Sequence, residues 1–266
     1  MGPGLRLWSV VALLAATAAL ACGDGGAAGS EARRPAGAVA GKERAPSGSA
    51  TRDRPSPGDS VGTDTPAPGQ GPARVLFVGT SLTAGFGLDP DDAYPNLVAE
   101  KAKAAGFEVD VVNAGVSGET SAGTRRRIQW LLRSPVDVLV LETGANDGLR
   151  ALDVDSTRAN IEAIVRQVKT TRPSARILLV QMEAPPNLGS RYTAQFRAMF
   201  PAIAQAEGVT LVPFLLEGVA GRTELNQSDG IHPNVRGERR VAENVWPSVR
   251  AALEERTGQG VVGSRE

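Results

Sequence analysis

Between residues 73 and 256, short apolar runs recur, each followed by a glycine-bearing stretch and then by a segment where apolar residues return every three or four positions. Arg74-Val-Leu-Phe-Val-Gly79, Val109-Asp-Val-Val112, Val136-Asp-Val-Leu-Val-Leu141, Ile177-Leu-Leu-Val180 and Val209-Thr-Leu-Val212 are short and rich in β-branched or aliphatic residues, so they predict five strands. Segments of helical period fall near residues 92–105, 121–133, 155–170, 191–207 and 235–254. Strands that are apolar on both faces need cover on both faces, and the helical crossover that a parallel pair requires supplies it. The alternation therefore predicts an α/β fold: a three-layer α/β/α sandwich around a five-stranded parallel sheet. In such a sheet, ligands bind beyond the carboxyl ends of the strands, where the strand order reverses. The residues that follow each strand are the ones to search for chemistry.

The ends of the chain follow no such period. Residues 1–22 carry one arginine, an apolar run from Leu7 to Leu20 and then small residues up to Cys22, the single cysteine. The run is too short to span a bilayer comfortably and reads as the apolar part of a secretory signal. With its cysteine at the cleavage position, this stretch resembles a bacterial lipoprotein signal. That resemblance implies lipidation of Cys22, export, and attachment to a membrane facing the periplasm or the cell exterior. Ala19 and Leu20 stand in the reverse of the usual order, and an ordinary secreted protein with an incidental Cys22 fits the same residues. Residues 23–72 are rich in Gly, Ala, Pro and Ser with mixed charge, a composition that cannot bury enough apolar surface to offset its ordering entropy. They predict a disordered tether whose ends, as a flexible coil, lie about 40 Å apart. Residues 257–266 predict a flexible tail, leaving 73–256 as the folded domain.

Charge narrows the partners. With 29 basic and 29 acidic side chains the chain has no global field to draw in nucleic acid. One cysteine excludes an internal disulfide, and one histidine beside one cysteine excludes a His/Cys zinc site, so the chemistry has to run without such a cofactor.

The stretches after the strands carry that chemistry. After the first run comes Gly79-Thr-Ser-Leu-Thr-Ala-Gly-Phe-Gly-Leu88, in which Ser81 stands on a strand-to-helix turn that can expose its hydroxyl. A phosphate cradle or a plain turn has the same composition. After the second comes Asn113-Ala-Gly-Val-Ser-Gly-Glu-Thr-Ser121 and after the third Glu142-Thr-Gly-Ala-Asn-Asp-Gly148. Gly118 can bring a backbone N–H close to a ligand and Asn146 can offer a side-chain N–H, the parts of an oxyanion hole. A tight turn and a helix cap account for the same two residues, and Ser117 and Ser121 read as turn and cap residues rather than rival nucleophiles. Beyond the fifth run lies Asp229-Gly-Ile-His-Pro-Asn234, with the only histidine of the chain. Asp229 is three positions before His232, a spacing that lets the carboxylate reach the near ring nitrogen and leave the far one free to accept a serine proton. A solvent-exposed loop histidine is the plain alternative. Arg125-Arg-Arg127 reads as a solvated helix face.

Taken in this order and at these distances, GTSL with AGFGL, NAGVSGETSAG, GAND and DGIHPN resemble the blocks of the SGNH (GDSL) hydrolases, nearest to the bacterial arylesterase, acyl-thioesterase and lysophospholipase branch. The resemblance covers Arg74 to about Leu253 and implies the flavodoxin-like SGNH fold. It implies Ser81 as nucleophile, His232 as base, Asp229 as its orienting acid, and an oxyanion hole made by the N–H groups of Ser81 and Gly118 with the Asn146 amide. Thr80 stands where the namesake block has aspartate, which leaves the triad intact and opens the question of how the nucleophile turn is held. The implied substrates are carboxylic esters of short to medium acyl chains, thioesters and lysophospholipids, with no metal or other cofactor. A polysaccharide O-deacetylase and a tethered non-catalytic binding module use the same fold. Met182–Gly189, with Pro186 and Asn187, and Pro213–Glu217, with Phe214 and Leu215, read either as walls of an apolar acyl groove or as packing beneath loops. The oligomeric state is left unknown.

Overall fold

The structure is a computed structural model and describes residues 71–258. The predicted leader with Cys22, the tether up to residue 70 and the tail from residue 259 lie outside the described residues.

Five parallel strands form one sheet in the order β2-β1-β3-β4-β5: β1 (Ala73–Gly79), β2 (Val109–Gly115), β3 (Val138–Leu141), β4 (Arg176–Val180) and β5 (Thr210–Val212). This is the doubly wound, flavodoxin-like order, and its reversal point lies between β1 and β3. The helices are α1 (Ser81–Ala84), α2 (Tyr94–Ala104), α3 (Ser121–Leu131), α4 (Ala145–Leu149), α5 (Val154–Thr171), α6 (Ser190–Glu207) and α7 (Val235–Thr257). Right-handed crossovers put α2 on one face and α3, α5 and α6 on the other. Accordingly α2 packs on α7, α3 on α5, and α5 on α6.

The central strands are apolar on both faces because both faces are covered. Val138, Leu139, Val140 and Leu141 of β3 are wholly buried, as are Phe77 and Val78 of β1. Truncating one of these, for example Leu139→Ala, removes both its transfer energy and its packing, at about 2–5 kcal/mol. β2 and β5, at the edges, are only partly buried.

The structure departs from the predicted elements where local polar groups intervene. β3 begins at Val138 rather than Val136 because Asp137 uses its carboxylate, at 2.8 Å, to accept the Arg74 N–H while its own N–H donates to the Arg74 carbonyl at 2.9 Å. β2 runs on to Gly115, paired with Gly79, and so ends level with the turn that follows β1. The short α4 has no apolar period to announce it and contains a glycine. α7 continues to Thr257, into the predicted tail, and is ended by Gly258 in the left-handed region.

Candidate active site

Ser81 sits at the reversal point. Thr80 is the N-cap and Ser81 the first residue of α1, so the serine N–H points outward at a helix start. This requires the turn to lie hard against the sheet. A Cβ on Gly79 would run into the Thr83 side chain and stand 2.6 Å from Glu142 Oε2, so no other residue fits there.

The DGIHPN loop delivers the histidine. Asp229 Oδ1 accepts from the N–H groups of Ile231 at 2.9 Å and His232 at 3.0 Å, which closes a turn and brings the imidazole over the same carboxylate. His232 Nδ1 then lies 2.6 Å from Asp229 Oδ2, and Nε2 lies 2.9 Å from Ser81 Oγ. With Nδ1–H donating to Asp229, Nε2 carries the lone pair and the serine hydroxyl donates to it. Burial pulls the Asp229 carboxyl upward, but the imidazole and the two backbone donors outweigh it and bring it from the ordinary 3.8 down to about 2. The carboxylate therefore stays ionised at neutral pH. Phe86 packs on the ring, centroid to centroid 4.7 Å. Gln227 clamps the loop: its N–H donates to the His232 carbonyl at 2.7 Å and its amide to the carbonyls of Phe86 at 2.7 Å and Pro233 at 2.9 Å.

Gly118 and Asn146 come from the neighbouring loops. Gly118 has φ 75°, and a Cβ there would meet nothing nearer than Arg150 Nη2 at 3.7 Å, so the glycine is required by its backbone conformation and not by space. One N–H of the Asn146 amide donates to the Glu119 carbonyl at 3.0 Å, which orients the side chain and leaves its second N–H free for a ligand oxygen. Arg150 donates to the Gly118 carbonyl at 3.0 Å, tying the loop that follows β2 to the one that follows β3.

Several residues outside the matched pattern of candidate site residues hold these loops. Arg127 is not part of a solvated face: only Arg125 and Arg126 are exposed, whereas Arg127 turns in to pair with Glu119 at 2.6 Å and donates to the Ala114 carbonyl at 2.8 Å. Asp147 is buried and accepts from the Ser121 N–H at 2.8 Å and hydroxyl at 2.6 Å, which gives Ser121 a structural task. Ser117 is exposed on its turn. Glu142, directly after β3, is wholly buried beneath the nucleophile turn. An acidic residue ending an apolar run was the only signal for it.

The expected acyl-groove residues divide. Pro186 and Asn187 are exposed on a 3-10 turn, Pro186–Leu188, ahead of α6. Phe214 is half-buried against the core. Leu215 is a correction: it is wholly buried in the core and cannot line an open groove, because the chain dives under α7 as it leaves the edge strand β5.

Comparison with known proteins agrees with this geometry. The model of the GDSL-like lipase/acylhydrolase family matches residues 77–240. The chain is 38% identical over 180 residues to esterase TesA of Pseudomonas aeruginosa, covering 67% of this chain and 89% of that protein. It is 38% identical over 162 residues to thioesterase 1/protease 1/lysophospholipase L1 of Escherichia coli, covering 60% of this chain and 75% of that protein. The crystal structure of the psychrotrophic esterase EstA from Pseudoalteromonas, inhibited by monoethylphosphonate, superposes with a TM-score of 0.64 at 31% identity, covering 68% of this chain and 98% of that one. Ser81, His232 and Asp229 stand in hydrogen-bonded series at the reversal point of a flavodoxin-like sheet, and the chain belongs to the GDSL-like lipase/acylhydrolase family.

Proposed function

We propose that the chain is a serine esterase that hydrolyses carboxylic esters or thioesters of small to medium acyl groups through an acyl-enzyme on Ser81. The observation that carries this reading is the unbroken series from Asp229 through His232 to Ser81 Oγ, with contacts of 2.6 Å and 2.9 Å. Ser81 Oγ attacks the acyl carbonyl carbon while its proton passes to His232 Nε2. The resulting oxyanion faces the N–H groups of Ser81 and Gly118 and the free N–H of Asn146. Collapse expels the alcohol or thiol, which takes the proton from His232, and a water molecule repeats the sequence to release the acid. Relatives named esterase, arylesterase and thioesterase/lysophospholipase support the reaction class.

The rim of the site supports an acyl rather than a sugar substrate. Phe86, Val116, Leu149, Leu152 and Ile231 are large hydrophobics left exposed; Leu149 ends α4, and the other four lie on loops that follow β1, β2 and β3 or hold His232. Apolar surface covered there gains about 25 cal/mol per Å². A fluorophosphonate probe is expected to label the wild-type chain at Ser81 and to leave Ser81→Ala unlabelled and inactive on p-nitrophenyl esters. Labelling that persists in Ser81→Ala would sink the assignment. An acyl-chain series on the wild type sizes the site, and activity confined to acetylated sugars would turn the reading toward an O-deacetylase.

The leader supports a place for this enzyme at a membrane, through a lipid on Cys22 and the tether beyond it. Metabolic labelling with a fatty-acid probe is expected to mark the wild-type protein and not Cys22→Ser. Equal labelling of both rules the anchor out.

A further inference from the structure

We propose that Glu142 is a positioning residue for the nucleophile, the end of a buried polar strut through Thr83 and Tyr94 to Glu238 that sets the Ser81 turn against the helix leading from the His232 loop. The inference rests on the esterase reading above.

Glu142 accepts the Thr80 N–H at 2.7 Å, the Thr80 hydroxyl at 2.9 Å and the Thr83 hydroxyl at 3.0 Å. Thr80 precedes Ser81 and Thr83 stands two residues after it, so one carboxyl holds both sides of the nucleophile. Thr83 Oγ1 is 2.9 Å from the Tyr94 hydroxyl. With Thr83 donating to Glu142, the Tyr94 O–H donates to Thr83. The N–H of Tyr94 in turn donates to Glu238 Oε2 at 2.8 Å, in the first turn of α7. The N-cap of α7 is Asn234, two residues after His232. Two sets of hydrogen bonds, joined through the covalent side chain of Tyr94, thus run from the end of β3, beneath Ser81, to the root of the loop that carries the base.

Every member of the series is buried: Tyr94, Thr80, Thr83 and Glu142 wholly, Glu238 nearly so. A carboxyl kept this far from water and met by hydroxyl and N–H donors disfavours folding unless those bonds are made, so the network tolerates little slack. Burial pushes the Glu142 carboxyl up, and the bonds from Thr80 and Thr83 pull it back. The strut also accounts for Thr80 where the family block has aspartate. An aspartate there would set a second carboxyl against Glu142, whereas threonine supplies a donor.

The test compares Glu142→Gln, Thr80→Val and Thr80→Ser in the full chain, by p-nitrophenyl ester turnover and by the rate of fluorophosphonate labelling, with the cooperative melt as a check on folding. A misplacement of the order of an ångström at a reacting atom costs about 100-fold, so Glu142→Gln is expected to lower kcat by about 10- to 100-fold. KM is expected to stay within about twofold, and labelling to slow in parallel with kcat. Thr80→Val is expected to lose kcat in the same direction and Thr80→Ser, which restores the hydroxyl, to recover it. A folded Glu142→Gln with kcat within about twofold of wild type overturns the strut. If Glu142→Gln does not fold, equal kcat in Thr80→Val and Thr80→Ser overturns it instead. A wild-type chain that neither turns over ester nor takes the label overturns the esterase reading itself, and the strut with it.

Discussion

At the amino ends of the strands, two charged pairs lie in water. Arg74 lies 3.4 Å from Asp110 and Arg176 lies 3.1 Å from Glu255, with all four at least one-third exposed. At the carboxyl ends of the same strands, Glu142, Asp147 and Glu238 are buried and are met by hydroxyls and N–H groups instead of by arginines. The first arrangement is close to neutral for stability, because exposed pairs gain little over their separate hydration. The second is costly in itself and is maintained at the edge where Ser81, Gly118, Asn146 and His232 must be held in register. The sheet therefore separates its two tasks. One edge closes the fold with replaceable contacts, and the other spends burial on placing reactive atoms.

The contrast predicts a graded series. His232→Ala removes the base from the functional edge and is expected to lower kcat by about 10⁴-fold or more while the thermal transition barely moves. Turnover within about tenfold of wild type would mean that Ser81 is activated by another group and that this edge is organised for something else. Glu238→Gln probes the cost of burial at the same edge. Burial pushes this carboxyl from 4.5 up to about 8, against the Tyr94 N–H and aided by the charge of Asp92. The folded state therefore keeps its proton while the unfolded chain loses it. Wild-type stability falls as pH rises between about 5 and 8, by up to about 1.4 kcal/mol per pH unit from this group, and levels off above that. Melting curves across that range are expected to show a flatter slope for Glu238→Gln, and an identical slope would show that the group is not held neutral. Arg176→Ala, at the opposite edge, is the smallest: a change of about 0.5 kcal/mol or less, with kcat unchanged. A loss as large as that of a core truncation such as Leu139→Ala would erase the distinction between the edges.

Asp229 adds a limit at acid pH. With its carboxyl at about 2, below the ordinary 3.8, its contribution to stability is complete above about 4 and is lost as pH falls toward 2.

The strands and long helices were legible because burial on a sheet or a helix face imposes a local period, and β1, β3 and β4 carry it without interruption. The residues of the Asp229–His232–Ser81 series could be picked out for a related reason. Asp229 and His232 interact within one turn, and the glycine-flanked Ser81 announces its own turn. Leu215 was left open between groove and core because an apolar residue beside a site has the same local signature in either place, and only its complete burial decides for the core. Arg127 was misread for the converse reason: a run of arginines looks solvated, and it is Glu119, with the carbonyls at the ends of β1 and β2, that draws the third one inward.

By itself, then, the sequence determined the order of the strands and long helices along the chain, which residues would stand at the carboxyl edge, and the one possible histidine base. Only the tertiary structure decided that Ser81 Oγ and His232 Nε2, 151 positions apart, come to 2.9 Å, and that Glu142 lies under Thr80 and Glu238 under Tyr94, 62 and 144 positions apart. Periodicity reports only neighbours along the chain. Contacts across such separations depend on the strand order and the crossovers, which bring together residues whose local surroundings carry no trace of one another.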